Sequence, residues 1–312
     1  MDPRVTLAMP VYNGETYIEI AIQSILNQTF RDFELVITDN SSMDGTEGIC
    51  RRLAHEDSRI RYYRNERNLG AAANYNLGYE LARGEYLKWC AHDDYISENY
   101  LELSVKALDR DPKAVMAYGR SEMVDARGEP TISESATLEG LENPDAAWRF
   151  AKVVRTGGSC GAIFGLFRRE ALALSLLHQG YYSSDRALLA EMALLGRFVF
   201  IPEIIFYNRA HPTRSMSLTD RVARMKWQNT TVTGKHPLEH LPLLRQNFMT
   251  AWRHRDVVGS YRTIPRLVAW AGTPRQLGSY GIEVISIFAP RLARIVREAI
   301  HKTKHPERAS SV

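Results

Sequence analysis

The stretch Val5-Thr-Leu-Ala-Met-Pro-Val-Tyr-Asn-Gly-Glu15 decides how this chain folds. Its first residues form a short run rich in β-forming side chains that ends at Pro10. The segment that follows, from Glu15 to Gln28, repeats apolar residues at helical spacing, at positions 18, 21, 22, 25 and 26. The chain therefore begins with a strand, a polar turn and an amphipathic helix.

The same alternation continues to about residue 120. Further strands are predicted over Phe33 to Thr38, Arg59 to Arg64, Tyr86 to Ala91 and Val115 to Tyr118. Asp44 and Glu47 have the spacing of a capping box at the start of one intervening helix, and Ser97 is expected to cap another. Strands separated by such helices predict an α/β fold, with a mostly parallel, mixed, Rossmann-like sheet covered by helices on both faces. Ligands of such sheets bind at the carboxyl ends of the strands.

The second half of the chain has a different pattern. Helices are predicted from Asn143 and over Arg186 to Leu195, and strands over Ala162 to Phe167, Phe198 to Ile201 and Ile204 to Tyr207. Up to residue 212 the chain has 23 Lys and Arg against 30 Asp and Glu, whereas the remainder has 17 against 6. We therefore expect one domain over 1–212 and a basic, mainly helical region over 213–312.

The composition excludes several classes of protein. A chain of 312 residues with 45% hydrophobic residues can bury a large core, which excludes disordered chains and small disulfide scaffolds. Its three cysteines are widely spaced and predict neither disulfides nor a metal cluster. The N-terminus lacks the pattern of a signal peptide, and no run of about 18 apolar residues occurs. We expect a cytoplasmic protein that at most lies on the membrane surface.

Polar residues follow the predicted strands where a ligand would bind. The turn Pro10 to Glu15 has neither the glycine fingerprint of dinucleotide-binding folds nor the P-loop pattern. After the fourth strand come His92, Asp93 and Asp94. Adjacent carboxylates suit a hard divalent cation that keeps some water and bridges a substrate diphosphate.

Several spaced motifs within residues 4–217 resemble those of inverting glycosyltransferases of family 2, which have the GT-A fold. They are Pro10-Val-Tyr-Asn-Gly-Glu15, Ser24-Ile-Leu-Asn-Gln-Thr29, Asp39-Asn-Ser-Ser-Met-Asp-Gly-Thr46, Asn68-Leu-Gly70 with Asn76 and Gly78, His92-Asp93-Asp94, and Tyr207-Asn-Arg-Ala-His211 with Ser215 and Ser217. Together these motifs are specific, although each alone is weak.

The resemblance implies a site for a nucleotide sugar. Its nucleotide-binding residues would be Pro10, Tyr12, Glu15, Asp39, Asn68 and Asp93, with Asp39 accepting a hydrogen bond from the base, usually uracil. Asp94 and His211 would bind Mg²⁺ or Mn²⁺ on the diphosphate. Asp185 would be the catalytic base that takes the proton from the acceptor hydroxyl.

Three positions depart from the family pattern: Asn40 stands where a second Asp is usual, Tyr75 replaces an Arg, and Ser184 replaces an acidic residue. Each proposed site residue also has a structural interpretation, for example Asp185 as a favourable charge at a helix N-terminus. A sugar-nucleotide-binding or membrane-associated scaffold with weak catalysis is therefore one alternative. A sugar nucleotidyltransferase is a second, although its glycine-rich first loop is absent.

The basic C-terminal region lies outside these motifs. Apolar residues and arginines alternate at helical spacing around Pro290, which suits contact with an anionic membrane surface, packing on the domain, or a homo-oligomer. No nucleic-acid-binding motif accompanies the basic residues. The Gln-x-x-Arg-Trp motif of processive synthases is absent, so transfer of one sugar per encounter is expected.

The predicted activity is thus metal-dependent transfer of a sugar from a nucleoside-diphosphate sugar, with UDP the expected nucleotide. The acceptor would be a hydroxyl of a glycan or lipid-linked intermediate in cell-envelope polysaccharide biosynthesis. The resemblance implies that the stretch from Gly157 to Gly161 shapes the acceptor pocket, whereas its glycines alone favour a flexible turn before the strand predicted from Ala162.

Overall fold

A computed structural model describes residues 2–131, 138–156, 161–218, 220–231, 238–289 and 292. The chain divides into two compact units, Met1–Val232 and Thr233–Val312. The predicted Gly157 to Gly161 loop, apart from Gly161 itself, and the basic segment after Pro290, apart from Leu292, lie outside the described residues.

The first unit is built on an eight-stranded sheet with the order β3-β2-β1-β4-β7-β6-β8-β5. Its strands are β1 (Val5–Val11), β2 (Phe33–Asp39), β3 (Ile60–Arg64), β4 (Tyr86–Trp89), β5 (Tyr95–Ile96), β6 (Ala114–Val124), β7 (Leu166–Arg168) and β8 (Arg197–Arg209). Strands β1 to β4 run parallel, while β7 and β5 are antiparallel to their neighbours. The mixed, mostly parallel sheet predicted from the sequence is confirmed.

Helices cover both faces of this sheet. They are α1 (Ile18–Leu26), α2 (Thr46–Glu56), α3 (Ala71–Glu80), α4 (Tyr100–Arg110), α5 (Ala146–Arg155), α6 (Arg169–Ala173), α7 (Ser184–Leu195) and α8 (Arg221–Gln228), with 3₁₀ turns at Gly161–Phe164 and Ser215–Ser217. Every residue of β1 is buried, because helices cover both faces of the strand. The face that contains Leu7 packs in the core with α1, and the face that contains Ala8 packs against α3. A Cβ at Gly78 would lie 2.8 Å from the Ala8 Cβ, so α3 lies directly against the strand.

Several local predictions were wrong. Ser97 does not cap α4; its hydroxyl accepts a hydrogen bond from the Ile205 N–H at 3.0 Å and so ties the loop to β8. The two strands predicted after residue 197 are one strand, in which the pairing with β6 shifts between Ile201 and Ile205. Pro202 lies in this bulge, where its missing N–H costs no ladder bond. The segment predicted as a strand from Ala162 is a 3₁₀ turn followed by the short β7.

The boundary between the units lies after α8, further along the chain than the predicted boundary at residue 212. Helix α8 belongs to the first unit because the Gln228 amide donates to the Ser184 hydroxyl and to the Gln179 carbonyl, both at 3.1 Å. Cys50 and Cys90 are free and buried.

The second unit is helical over its described part. It contains α9 (His240–Arg253), α10 (Arg255–Val258), α11 (Ser260–Ala271) and α12 (Pro274–Phe288), and α9 packs against both α11 and α12. Within the described ranges of the chain, no helix is both long and apolar enough to cross a membrane.

Candidate active site

The loops after β1 and β2 are joined by reciprocal hydrogen bonds. The Glu15 N–H donates to the Asp44 carboxylate at 3.1 Å, and the Gly45 N–H donates to the Glu15 carboxylate at 2.6 Å. Asp44 also accepts the Thr46 N–H, whereas α2 has no side-chain N-cap, so the predicted capping box between Asp44 and Glu47 is wrong. Glu15, expected in the nucleotide pocket, therefore already holds the two loops together.

Asp39 lies at the end of β2 and is fully buried. One of its carboxylate oxygens accepts the Ser42 N–H at 2.8 Å. The other accepts the Tyr62 hydroxyl at 2.6 Å and the Arg64 guanidinium at 3.3 Å. Burial and this bond to Asp39 raise the pKa of Tyr62, so the phenol keeps its proton. The Asp39 carboxylate is thus occupied by protein donors.

The neighbouring Asn40 explains one departure from the family pattern. Its side-chain amide donates to the Asn68 side-chain oxygen at 2.9 Å and lies 3.3 Å from the Gly70 carbonyl. Its own oxygen accepts the Leu69 N–H at 2.8 Å and the Asn65 amide at 3.1 Å. An aspartate could accept these bonds but, when ionised, has no proton to donate. Asn40 and Asn68 therefore form a hydrogen-bonded pair that joins the two loops.

The carboxyl end of β4 leads to a buried carboxylate–imidazole pair. The Asp93 Oδ2 lies 2.9 Å from the His211 Nε2, and the two side chains are 16% and 5% exposed. Burial opposes the charged form of Asp93, but nearby His92 and the bond from His211 outweigh it, so the pKa of Asp93 lies below its ordinary value. On its other side, the His211 ring contacts the Thr213 hydroxyl at 3.0 Å.

Asp94 is placed differently from its neighbour. Its Oδ1 accepts the Arg209 backbone N–H at 2.8 Å, and its side chain lines a pocket with Lys88 and Cys90. Burial and the adjacent Asp93 charge raise the pKa of Asp94 well above its ordinary value, despite the opposing bond from Arg209. The sequence predicted a cation site on Asp94 and His211, but the structure brings Asp93 against His211.

Arg209 is a site residue that sequence reasoning missed. Its Nε donates to the Asp93 carbonyl at 2.9 Å, its Nη1 donates to the Ala126 carbonyl at 3.1 Å, and its guanidinium lies over the Tyr17 ring at 4.8 Å. The guanidinium and the backbone N–H together bind the turn that contains both carboxylates. The signal was the Arg within Tyr207 to His211, which the motif alone did not link to the two acids.

Asp185 lies in the first turn of α7, directly after Ser183 and Ser184. Ser183 has a left-handed backbone with φ of 70°, which turns the chain into the helix. The Asp185 Oδ1 accepts its neighbour's N–H, that of Arg186, at 2.9 Å. The residue is half-buried in the first turn of the helix.

Tyr75 connects the two sides of the site electrostatically. Burial raises the pKa of Tyr75, and the charges of Asp93, Asp94 and Asp185 raise it further. The three carboxylates therefore act on one phenol, at the position where the family usually has an Arg. Tyr75 packs against His178 with ring centroids 4.9 Å apart, and burial lowers the pKa of His178 to about 3, which keeps that ring neutral.

Metal-binding clusters of three or more His, Cys, Asp or Glu are absent from the described residues. Tyr12 is 38% exposed after β1, while Pro10 is buried within that strand. The described part of the site thus combines a buried carboxylate–imidazole pair, a second carboxylate at a helix N-terminus and an exposed aromatic ring.

Residues 6–172, more than half of the chain, match the family described as Glycosyl transferase family 2. The chain belongs to glycosyltransferase family 2. An uncharacterized glycosyltransferase of Rickettsia felis is 37% identical over 127 residues, which are 40% of this chain and 21% of that protein. The glycosyltransferase GlyG of Streptococcus pneumoniae is 25% identical over 217 residues, or 67% of this chain and 69% of GlyG.

The chain covers only part of these relatives. It spans 21% of the Rickettsia felis protein and 50% of an uncharacterized glycosyltransferase of Haemophilus influenzae. Similarity to solved structures shows that the chain has the GT-A fold. Staphylococcus aureus TarS in complex with UDP-GlcNAc is 16% identical, with a TM-score of 0.61 over 92% of this chain and 80% of TarS. The mannosyltransferase PcManGT of Pyrobaculum calidifontis, in complex with GDP-Man and Mn²⁺, is 18% identical, with a TM-score of 0.52 over 98% and 88% of the two chains.

Proposed function

We propose that this glycosyltransferase moves a sugar from a UDP-sugar to an acceptor hydroxyl, with inversion and with a divalent cation. The observation that carries this proposal is the Asp93–His211 pair after β4, together with a second carboxylate, Asp185, in the first turn of α7. The bound ligands of TarS and PcManGT, UDP-GlcNAc and GDP-Man with Mn²⁺, support a nucleotide-sugar donor.

Asp93 and His211 would hold the cation. Their facing atoms are 2.9 Å apart, so the two groups converge on one point and could share a metal in place of a proton. A cation held by two side chains would complete its shell with water and diphosphate oxygens. A mixed carboxylate and imidazole set favours Mn²⁺ over Mg²⁺, which prefers oxygen ligands alone. When bound, the cation would neutralise charge on the leaving diphosphate.

We assign positioning roles to Asp94 and Arg209. The Asp94 carboxylate fixes the Arg209 backbone, while the Arg209 side chain fixes the Asp93 carbonyl. These bonds hold the Asp93 carboxylate toward His211. Asp94, which the sequence assigned to the metal, would thus support the cation site without binding the ion.

Asp185 would be the catalytic base. The acceptor hydroxyl loses its proton as the new glycosidic bond forms, and a carboxylate can accept that proton. Asp185 lies in the first turn of α7, the end of a helix that favours a negatively charged side chain. Attack on the face opposite the leaving diphosphate is a single displacement and inverts the anomeric centre.

The nucleotide would lie over the loops after β1 and β2. Tyr12 offers an exposed ring against which a base could stack, next to Pro10. We propose that Asp39, Glu15 and Asn68 shape this surface, because their side chains are already bonded to the loops. The acceptor would be a glycan or lipid-linked intermediate of cell-envelope polysaccharide, used on the cytoplasmic side of the membrane.

Release of UDP or GDP from a panel of sugar nucleotides, with Mn²⁺ or Mg²⁺, tests this function. We expect Mn²⁺-dependent turnover of one UDP-sugar, and a loss of roughly 10²-fold or more in Asp185→Asn because base catalysis contributes that much. Glu80→Gln, which changes an exposed carboxylate at the end of α3, is the matched control and should keep full activity. A binding scaffold would release no nucleotide above background.

A further inference from the structure

Helix α12 of the second unit exposes several large apolar side chains. Its buried residues are Tyr280, Glu283 and Ser286. Leu277, Val284 and Phe288 lie beside this buried face, recur at helical spacing and are 56%, 44% and 82% exposed. A helix of a water-soluble unit normally buries the apolar side, so the exposed side of α12 requires an explanation.

A specific contact holds α12 in this orientation. The Glu283 carboxylate is fully buried and accepts the backbone N–H groups of Glu239, His240 and Leu241 at 2.7, 2.8 and 2.9 Å. It therefore satisfies the first turn of α9 and opposes the positive end of that helix. Rotation of α12 to bury its apolar side would break all three bonds. The apolar side is thus held outward by the fold.

Helix α11 repeats the arrangement. Thr263 and Leu267 are buried, whereas Tyr261 and Val268 on the opposite side are 79% and 54% exposed. At the end of α9, Trp252 is 60% exposed and the Arg255 guanidinium lies 4.9 Å from its ring centre. Exposed aromatic rings beside arginines are typical of side chains that lie at a membrane surface.

The excess of arginines in this unit favours an anionic partner. Residues 238–289 contain six arginines and three acidic residues, of which Glu283 is buried on the α9 N-terminus. Arg266 and Arg275 are exposed on α11 and α12, and Arg253 is exposed at the end of α9, next to Trp252. Two copies of the unit would bring like charges together, whereas an anionic bilayer attracts arginines and accepts the apolar side chains between them.

We propose that the exposed apolar faces of α11 and α12 bind the surface of an anionic lipid bilayer, with Leu277, Val284 and Phe288 in the headgroup region. The helices lie along the surface, in keeping with the finding that no helix in the described ranges can span a bilayer. This contact goes beyond the proposed sugar transfer and uses no residue of the candidate active site.

Cosedimentation of the full chain with vesicles tests the proposal. We expect binding to vesicles of phosphatidylglycerol and phosphatidylcholine, and binding at least about tenfold weaker to phosphatidylcholine alone, because several arginines contribute. The double variant Val284→Ser, Phe288→Ser should bind the anionic vesicles about tenfold more weakly, because two apolar side chains no longer leave water. Both positions are exposed, so the variant should fold and should release nucleotide like the unaltered protein.

Leu174→Ser is the matched control, since Leu174 is 55% exposed in the first unit, and it should bind vesicles normally. Failure of the unaltered chain to bind anionic vesicles would overturn the proposal, as would equal binding of the double variant. Equal binding to neutral and anionic vesicles would also contradict it. If light scattering found a dimer that the double variant abolishes, with no vesicle binding, the faces would be a self-association surface instead.

Discussion

Replacing Asn40 by Asp tests whether the buried amide network holds the nucleotide loops. The change restores the residue usual in the resembled family and is nearly isosteric. It nevertheless removes the donor to the Asn68 oxygen at 2.9 Å and to the Gly70 carbonyl at 3.3 Å, and it sets a buried carboxylate against those two oxygens. The two lost hydrogen bonds and the burial of a carboxylate that faces two carbonyl oxygens together cost about 2–4 kcal/mol.

We therefore expect the first unit of Asn40→Asp to unfold at a melting temperature lower by about 4–16 °C at pH 7, measured by circular dichroism. Burial next to these oxygens raises the folded pKa of the new carboxylate above its unfolded value of about 3.9. The loss is then complete above the folded pKa and shrinks as the pH falls toward the unfolded pKa, because a protonated Asp can donate to Asn68.

Asn27→Asp is the control, because Asn27 is exposed at the end of α1 and the change should cost no more than about 1 kcal/mol. Equal stability of Asn40→Asp and the unaltered protein at pH 7 would refute the argument. A defect that does not diminish toward pH 4 would refute its electrostatic part.

Three further changes have defined outcomes. Arg209→Lys should lower nucleotide release about tenfold or more, with a smaller effect on stability. The reason is that a lysine cannot donate to both the Asp93 and Ala126 carbonyls, as the planar guanidinium does. Unchanged turnover would contradict the positioning role. Gly70→Ala should destabilise the first unit by more than about 1 kcal/mol in urea unfolding, because φ is 86° and a Cβ would lie 2.8 Å from the Asn229 Cα. Glu283→Gln should destabilise the second unit by about 1–3 kcal/mol, since the three N–H groups of α9 lose a charged acceptor; a neutral effect in the same assay would contradict the capping role.

Local sequence patterns predicted the order of elements well where both faces of a strand are buried. The segment from Val5 and the helix after it have periodicities that leave few alternatives, and the structure has both. Ser97 was assigned wrongly because a hydroxyl before a helix can bond its own helix or a distant strand. Its partner, the Ile205 N–H, lies more than a hundred residues away along the chain. Local spacing contains no information about such a partner.

The sequence suggested candidate site residues by type, but it contained no information about their pairing. Asp93 and Asp94 are adjacent carboxylates on one turn that point in different directions, and their order along the chain does not say which of them meets His211. The pairing is set by strand β8, which ends at Arg209. The Arg209 backbone N–H donates to Asp94, so that Asp93 is the carboxylate that contacts His211. Asp185 depends on a turn whose left-handed Ser183 no motif predicts.

Binding of Mn²⁺ in the presence of UDP, followed by electron paramagnetic resonance of the free ion, tests the central claim most directly. We expect Asp93→Asn to weaken Mn²⁺ binding about tenfold or more, because one of the two protein ligands loses its charge, and nucleotide release to fall in parallel. Glu80→Gln should bind Mn²⁺ like the unaltered protein. Unchanged Mn²⁺ affinity in Asp93→Asn would contradict the assignment of the cation to the Asp93–His211 pair.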